Sequence, residues 1–276
     1  MSWRLAAVLL ALMQSRPVAA QVAPHGFPAT ADVVMRIYVP KGRVTITTWT
    51  RDSIAVRGAL GANASFFGGG DRAHVKFGVE PRTPTNAELP SGDFTVVVPR
   101  GARLWVKMID GELSVSGTTA ELEAYAVRGR ITVRAVAGVT AIESIDAAVD
   151  VRNARGDLRV RGSKGAVTLD DVMGTATVAT ISGPVTLTRW RADGRVETIG
   201  GDVHYLGGAL PGALLDVQTH AGSITLSLDR TSVPMLDLST RAGVVSGEPR
   251  TGMATNGRIV GRSFKGAIRV ESRSPQ

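Results

Sequence analysis

Among the residues with chemistry to offer, three carboxylates and two guanidinium groups stand out. Asp150, Asp170 and Asp171 fall on or near neighbouring units of one repeating face, together with Arg134 and Arg152. Two or three carboxylates converging on an exposed face, alone or with Lys or Arg, are what a polysaccharide lyase or hydrolase on a β-helix scaffold needs to protonate a leaving oxygen and activate a nucleophile. This cluster is the best enzyme candidate in the chain, set against the ordinary reading of charged strand residues as a solvated face. No Gly-x-Ser-x-Gly nucleophile motif occurs. The histidines, His25, His74, His204 and His220, are dispersed and lack metal-ligand spacing, and with no cysteine a zinc site is not expected. His204 is expected outward and solvated; His220, aligned with Ile181 and Ile199, is expected partly buried near a turn. No catalytic, cofactor-binding or metal-binding residue is therefore assigned, and no cofactor is expected.

The elements that would position these groups are set by a repeat. Stepping by nine from Gly111 gives Gly111, Ala120, Gly129, Gly138, Ala147, Gly156, Gly165, Gly174, Gly183, Ala192 and Gly201, an unbroken run of Gly or Ala that their abundance does not produce by chance. The third and fifth positions of alternate units are apolar, as in Leu113/Val115, Ile131/Val133, Val149/Val151, Val167/Leu169, Val185/Leu187 and Val203/Tyr205. Residues two apart share one side of a strand. The intervening units do likewise in Leu122/Ala124, Leu158/Val160 and Ala176/Val178, while Thr140 and Gly194 break the pattern.

Nine residues suit a strand of four or five plus a turn, with the lattice Gly supplying the positive φ of a tight corner. Two units make an eighteen-residue rung, and stacked rungs place each Val or Leu over its counterpart. The expected fold is all-β: a parallel β-solenoid or β-roll with nine-residue half-rungs. A meander of antiparallel hairpins is the rival, and equal spacing favours stacked coils. Val167 should lie inside, between Val149 and Val185, with Thr168 facing water. Beyond Gly201 the step lengthens through Gly222, Gly243 and Gly266. Residues 21–101 keep strand character around a Gly-rich stretch, Gly58 to Gly70, and read as an irregular β cap over one end of a solenoid spanning 102–276.

Two more outward columns were weighed against this lattice. The sixth positions are Ser116, Tyr125, Arg134, Glu143, Arg152, Arg161 and Asp170, a mixture that cannot repeat the calcium turn of Gly-Gly-x-Gly-x-Asp β-rolls. Thr132, Thr168, Thr186 and Thr225 share a fourth position, a candidate flat face for carbohydrate or ice, interrupted by Asp150 and His204.

Composition bounds the rest. The 276 residues are 43% apolar but only 5% aromatic, with 32 Gly, which suits a thin aliphatic core. Arg4, the apolar run Leu5 to Met13 and Val18-Ala19-Ala20 read as an export signal over 1–20, with a mature chain starting at Gln21. Nine apolar residues are about half of what spans a bilayer, so no integral membrane segment is expected in the mature chain. Removing Arg4 and Arg16 leaves a net charge of +6, two fewer than the +8 of the full chain. Basic residues are scattered through strands without interleaved aromatics, so nucleic acid is not an expected partner. The chain reads as exported, periplasmic or secreted.

The sequence resembles a bacterial family named putative adhesin, domains of unknown function. The resemblance runs from Gly42-Arg-Val-Thr-Ile-Thr-Thr-Trp-Thr-Arg-Asp-Ser-Ile-Ala-Val-Arg57 through Phe94-Thr-Val-Val-Val-Pro-Arg-Gly-Ala-Arg-Leu104 into the Ile-Ser-Gly-Pro-Val-Thr-Leu type units at Ile181 and His220. It implies an exported β-solenoid and carries no catalytic residues with it. The leading expectation is a non-enzymatic binding or structural protein of the cell envelope, with an envelope protein or glycan as partner; the alternative is a polysaccharide-active enzyme on the same scaffold.

Overall fold

Long runs of alternating apolar and polar residues give strands whose inner side is aliphatic throughout. In β7 (Arg103–Ser116), Leu104, Val106, Met108, Leu113 and Val115 are buried while the residues between them face out. The computed structural model describes residues 20–83, 88–117, 120–230, 233–247 and 252–273. All but the last residue of the expected export signal lies outside them.

β8 (Glu121–Arg134) lies parallel to β7 with Gly111 opposite Gly129, an eighteen-residue offset. The same offset joins β9 (Ala137–Ser144), β10 (Ala148–Arg161) and β11 (Val167–Thr180), and carries β11 onto β12 (Val185–Thr188) and β13 (Arg191–Thr198). β14 (Val203–Gly207), β15 (Leu214–Thr219) and β16 (Ile224–Asp229) continue the ladder. Among the described residues, every pairing downstream of Arg103 is parallel, which removes the antiparallel meander. Val149, Val167 and Val185 stand side by side in register and all are buried.

The nine-residue lattice resolves into two columns at two corners. Gly138, Gly156 and Gly174 have φ of 93, 111 and 105°, and a Cβ on either of the last two would press into the carbonyl oxygen of the glycine one step before it. Gly165, Gly183, Gly201 and Gly222 stack at the other corner, each backed against the preceding carbonyl. A third column was not foreseen: Ala135, Asn153, Asp171 and Arg189, eighteen residues apart, all take positive φ of 48 to 55°. This left-handed residue turns the next one inward, so Val136, Ala154, Val172 and Trp190 are buried. The volumes compensate. As the corner residue grows from Ala154 to Val172 to Trp190, the inward residue four places on shrinks from Leu158 to Ala176 to Gly194. A Cβ on Gly194 would meet the Trp190 ring, which explains the break in the apolar pattern there.

Upstream, β2 (Val34–Trp49) pairs in parallel with β7 from Val34/Arg103 to Ile46/Val115, so the ladder continues above residue 102 at a separation of 69 residues that hides the register from sequence. Preceding it in the sheet, β5 (His74–Pro81) and β6 (Ser91–Pro99) also run parallel to β2. Antiparallel strands then cover them: β1 (Ala20–Pro28) on β3 (Ser53–Leu60), β3 on β6, and β4 (Ala64–Gly70) on β5. Phe66, Phe77 and Phe94 pack beneath, with ring centroids 5.4 to 6.1 Å apart.

At the other end spatial order departs from chain order. β19 (Arg258–Ser263) and β20 (Ile268–Arg273) insert between β15/β16 and the earlier β17 (Met235–Thr240) and β18 (Val245–Gly247). Gly266 thus stacks on Gly222, and Gly243 on Gly266. The pair in the inner place is the buried one: Ile259 and Ile268 are fully buried, while Leu236 and Leu238 on the outer strand are only half-buried.

Candidate functional site

Strand register brings the sequence-derived cluster onto one outward face. Ser116, Arg134, Arg152, Asp170 and Thr188 form one cross-strand column, and Ser114, Thr132, Asp150, Thr168, Thr186, His204 and Thr225 form the next. Asp150 and Arg152 share a strand side and join through two bonds, Arg152 Nε to Oδ1 at 2.8 Å and Nη2 to Oδ2 at 2.9 Å. The hydrogen bond first, and then the charge of Asp150, hold the Arg152 guanidinium above its ordinary range. Asp170 pairs with Arg189; its Oδ1 is buried without a hydrogen-bond partner among the described residues.

Asp171 separates from the others. Its left-handed backbone swings it to the corner, where Arg191 and, at 3.7 Å, Arg155 hold its carboxylate. Asp150, Asp170 and Asp171 are thus each neutralised by arginine rather than opposed to one another across a space for a scissile bond. Arg134, beside Arg152 in the column, has no salt bridge among the described residues.

The corner next to this face carries a cleft of about 580 Å³, lined by Asp171, Arg189, Arg191, Tyr205, Asp229 and Arg273 among others. Three arginines line it, paired with Asp170, Asp171 and, at 2.8 Å, Asp229. Tyr205 closes its floor: the ring is buried and its hydroxyl donates to the Gly208 carbonyl at 2.9 Å. Burial, and then the charge of Asp229, push the phenol well above its usual range. The fifth-position aromatic at Tyr205 was visible in the sequence as a core residue; the arginines that meet above it come from two segments far apart in the chain, Arg189 and Arg191 from one and Arg273 from the other.

The Thr column is in register as expected, with Asp150 and His204 in it, and each of its four threonines is half-buried. The histidines remain apart. His204 is exposed, as expected. His220 is exposed rather than partly buried, because its turn projects from the sheet; its ring stacks on Phe264 at 5.0 Å and 9°. His25 stacks on Phe66 at 4.8 Å, and His74 lies 3.6 Å from Asp71. Among the described residues no three His, Asp or Glu side chains gather as a metal site. The sixth-position residues split between two faces, Tyr125, Glu143 and Arg161 lying on the other one, so they cannot act as a single ladder.

No family model matches the chain, and no curated protein matches it. Two solved structures are similar over nearly its whole length. A putative adhesin from Bacteroides fragilis covers 91% of this chain and 96% of its own at 12% identity, with a TM-score of 0.40. A putative cell adhesion protein from Clostridium sporogenes covers 91% and 99% at 8% identity, with a TM-score of 0.24. Among the described residues no helix is long and apolar enough to cross a membrane.

Proposed function

We propose that this chain is an exported, non-enzymatic β-solenoid, an adhesin-like binding or structural protein of the cell envelope that works through its long outer surface. The observation that carries the reading is the pairing of charges on the face most suited to catalysis. Asp150, Asp170 and Asp171 each meet an arginine, so the three carboxylates of this cluster are held in ion pairs and are not divided between acid and base roles. The parallel ladder from β2 to β20 presents rows of outward residues over many strands, a surface suited to an extended partner. Soluble export follows from the reading of residues 1–20 as a cleaved signal.

Incubating the purified mature chain with anionic and neutral polysaccharides tests this directly. Binding without release of reducing ends is expected. Turnover that Asp170→Asn abolishes would overturn the reading in favour of a polysaccharide-active enzyme.

A further inference from the structure

The outer face formed by the first halves of β2, β7 and β8 carries the only exposed tryptophan among the described residues. Trp105 is 41% exposed. Across the strands it stands between Arg36 and Glu123, and two residues further along lie Tyr38, Lys107 and Tyr125 in a second row. Tyr38 and Tyr125 are therefore the diagonal neighbours of Trp105 on either side. Lys107 lies between them, its Nζ 5.5 Å from the Tyr125 ring centre.

Trp105 is exposed and Tyr38 and Tyr125 are half-buried, so aromatic surface is open to a partner along this face. The other described tryptophans are committed: Trp49 donates its indole N–H to the Ser53 carbonyl and Trp190 to the Ala192 carbonyl, each at 2.7 Å. Trp105 makes no such bond, and neither the Tyr38 nor the Tyr125 hydroxyl has a partner among the described residues. A trough of about 620 Å³ runs along this row, lined by Val34, Arg36, Arg103, Trp105, Glu121 and Glu123. A second, of about 480 Å³, shares Val34 and Arg36 and continues over His74 and Lys76 of β5. Together they cross four strands, about 15 Å at a spacing near 4.8 Å, a spacing close to the length of one pyranose unit.

The chemistry of the trough selects its occupant. An extended peptide adds to a sheet through a free strand edge, and β2, β7 and β8 are all paired on both sides here. A polyanion needs a surplus of cations, whereas in the trough beside Trp105 Arg36 and Arg103 are equalled in number by Glu121 and Glu123. Flat rings take the C–H face of a sugar, and neighbouring carboxylate and guanidinium groups accept from and donate to its hydroxyls.

We infer that this trough is a binding site for a neutral glycan, with Trp105 as its stacking platform, Tyr38 and Tyr125 in the row beside it, and Arg36, Arg103, Glu121 and Glu123 holding hydroxyl groups. The inference rests on the binding-protein reading above and gives it a ligand class. Isothermal titration with cellohexaose, laminarihexaose, maltohexaose, mannohexaose and chitohexaose, against polygalacturonate as the anionic comparator, tests it. At least one neutral hexasaccharide should bind, Trp105→Ala should weaken it tenfold or more, and Trp105→Phe should recover part of the loss. Arg130→Ala, an exposed position on the other face, should bind as wild type, and an unchanged urea midpoint should show that Trp105→Ala folds. Binding of polygalacturonate alone, binding of no hexasaccharide, or an undiminished Trp105→Ala would each overturn the site. Hydrolysis of a bound hexasaccharide would instead overturn the non-enzymatic reading while leaving the Trp105 platform in place.

Discussion

Val167→Asp places a carboxylate where the chain has an aliphatic ladder. Val167 is 1% exposed, flanked in register by Val149 and Val185. Its buried side chain contributes about 1.5–3 kcal/mol. A carboxyl group fully buried among aliphatics has its pKa raised by about 3–5 units, so at pH 7 it takes up a proton, and the roughly 3 pH units above its unfolded value limit the loss to about 4 kcal/mol at 1.36 kcal/mol per unit. That sum rivals the whole stability of an ordinary domain, about 5–15 kcal/mol. Thr168→Asp faces outward and costs far less. Its register partners are Asp150 and Thr186, and Arg152 already engages Asp150. A like charge opposite costs about 0.2–1 kcal/mol. Urea melts at pH 7 should therefore separate the two variants by several kcal/mol. The ionisation penalty of a carboxyl whose folded pKa is raised is absent below its unfolded value near 3.9; it grows as pH rises toward the folded pKa and then levels off, while the loss of the valine side chain persists at every pH. Val167→Asp should recover toward wild type near pH 4, and Thr168→Asp should change much less. Equal effects, or a Val167→Asp loss that ignores pH, would refute the inward and outward assignment.

Gly194→Val should drive its side chain into the Trp190 ring and destabilise by about 3 kcal/mol; adding Trp190→Leu should return part of that, a coupling of roughly 1–3 kcal/mol in denaturant melts, and strictly additive losses would contradict the paired volumes. The Tyr205 phenol, raised by burial, contributes stability that is complete below about pH 10 and lost as pH climbs through its folded value; tyrosinate absorbance should show one tyrosine resisting ionisation until the chain unfolds, and Tyr205→Phe should abolish that step. Thr198→Val removes a hydroxyl that accepts from the Gly201 N–H at 2.7 Å and donates to its carbonyl at 3.1 Å, and the two stranded backbone groups should cost about 1–3 kcal/mol in thermal melts. N-terminal sequencing of exported material should begin at Gln21; recovery of residues 1–20 in a membrane fraction would mark that segment as an anchor.

Local sequence determined the period and the side on which each residue falls. Alternation along a strand is a one-dimensional property, so Val149, Val167 and Val185 could be placed inside and Thr168 outside from their spacing alone, and the lattice glycines marked corners because a Cβ there has nowhere to go. The tertiary structure decided everything that depends on which unit lies beside which. β2 meets β7 across 69 residues, and β19 and β20 slip inside β17 and β18, pairings between segments whose separation no local alternation encodes. The left-handed column at Ala135, Asn153, Asp171 and Arg189 has no shared residue type to announce it; it exists because the corner needs one extra residue to turn Val136, Ala154, Val172 and Trp190 inward. The same holds for the site. Asp150, Asp170, Asp171, Arg134 and Arg152 were legible as neighbours by period, but the left-handed turn at Asp171 and the arrival of Arg189 and Arg191 from the next rung convert a carboxylate cluster into ion pairs. Trp105, Tyr38 and Tyr125 lie too far apart in the chain to read as a group, and only the strand register places their rings on one face.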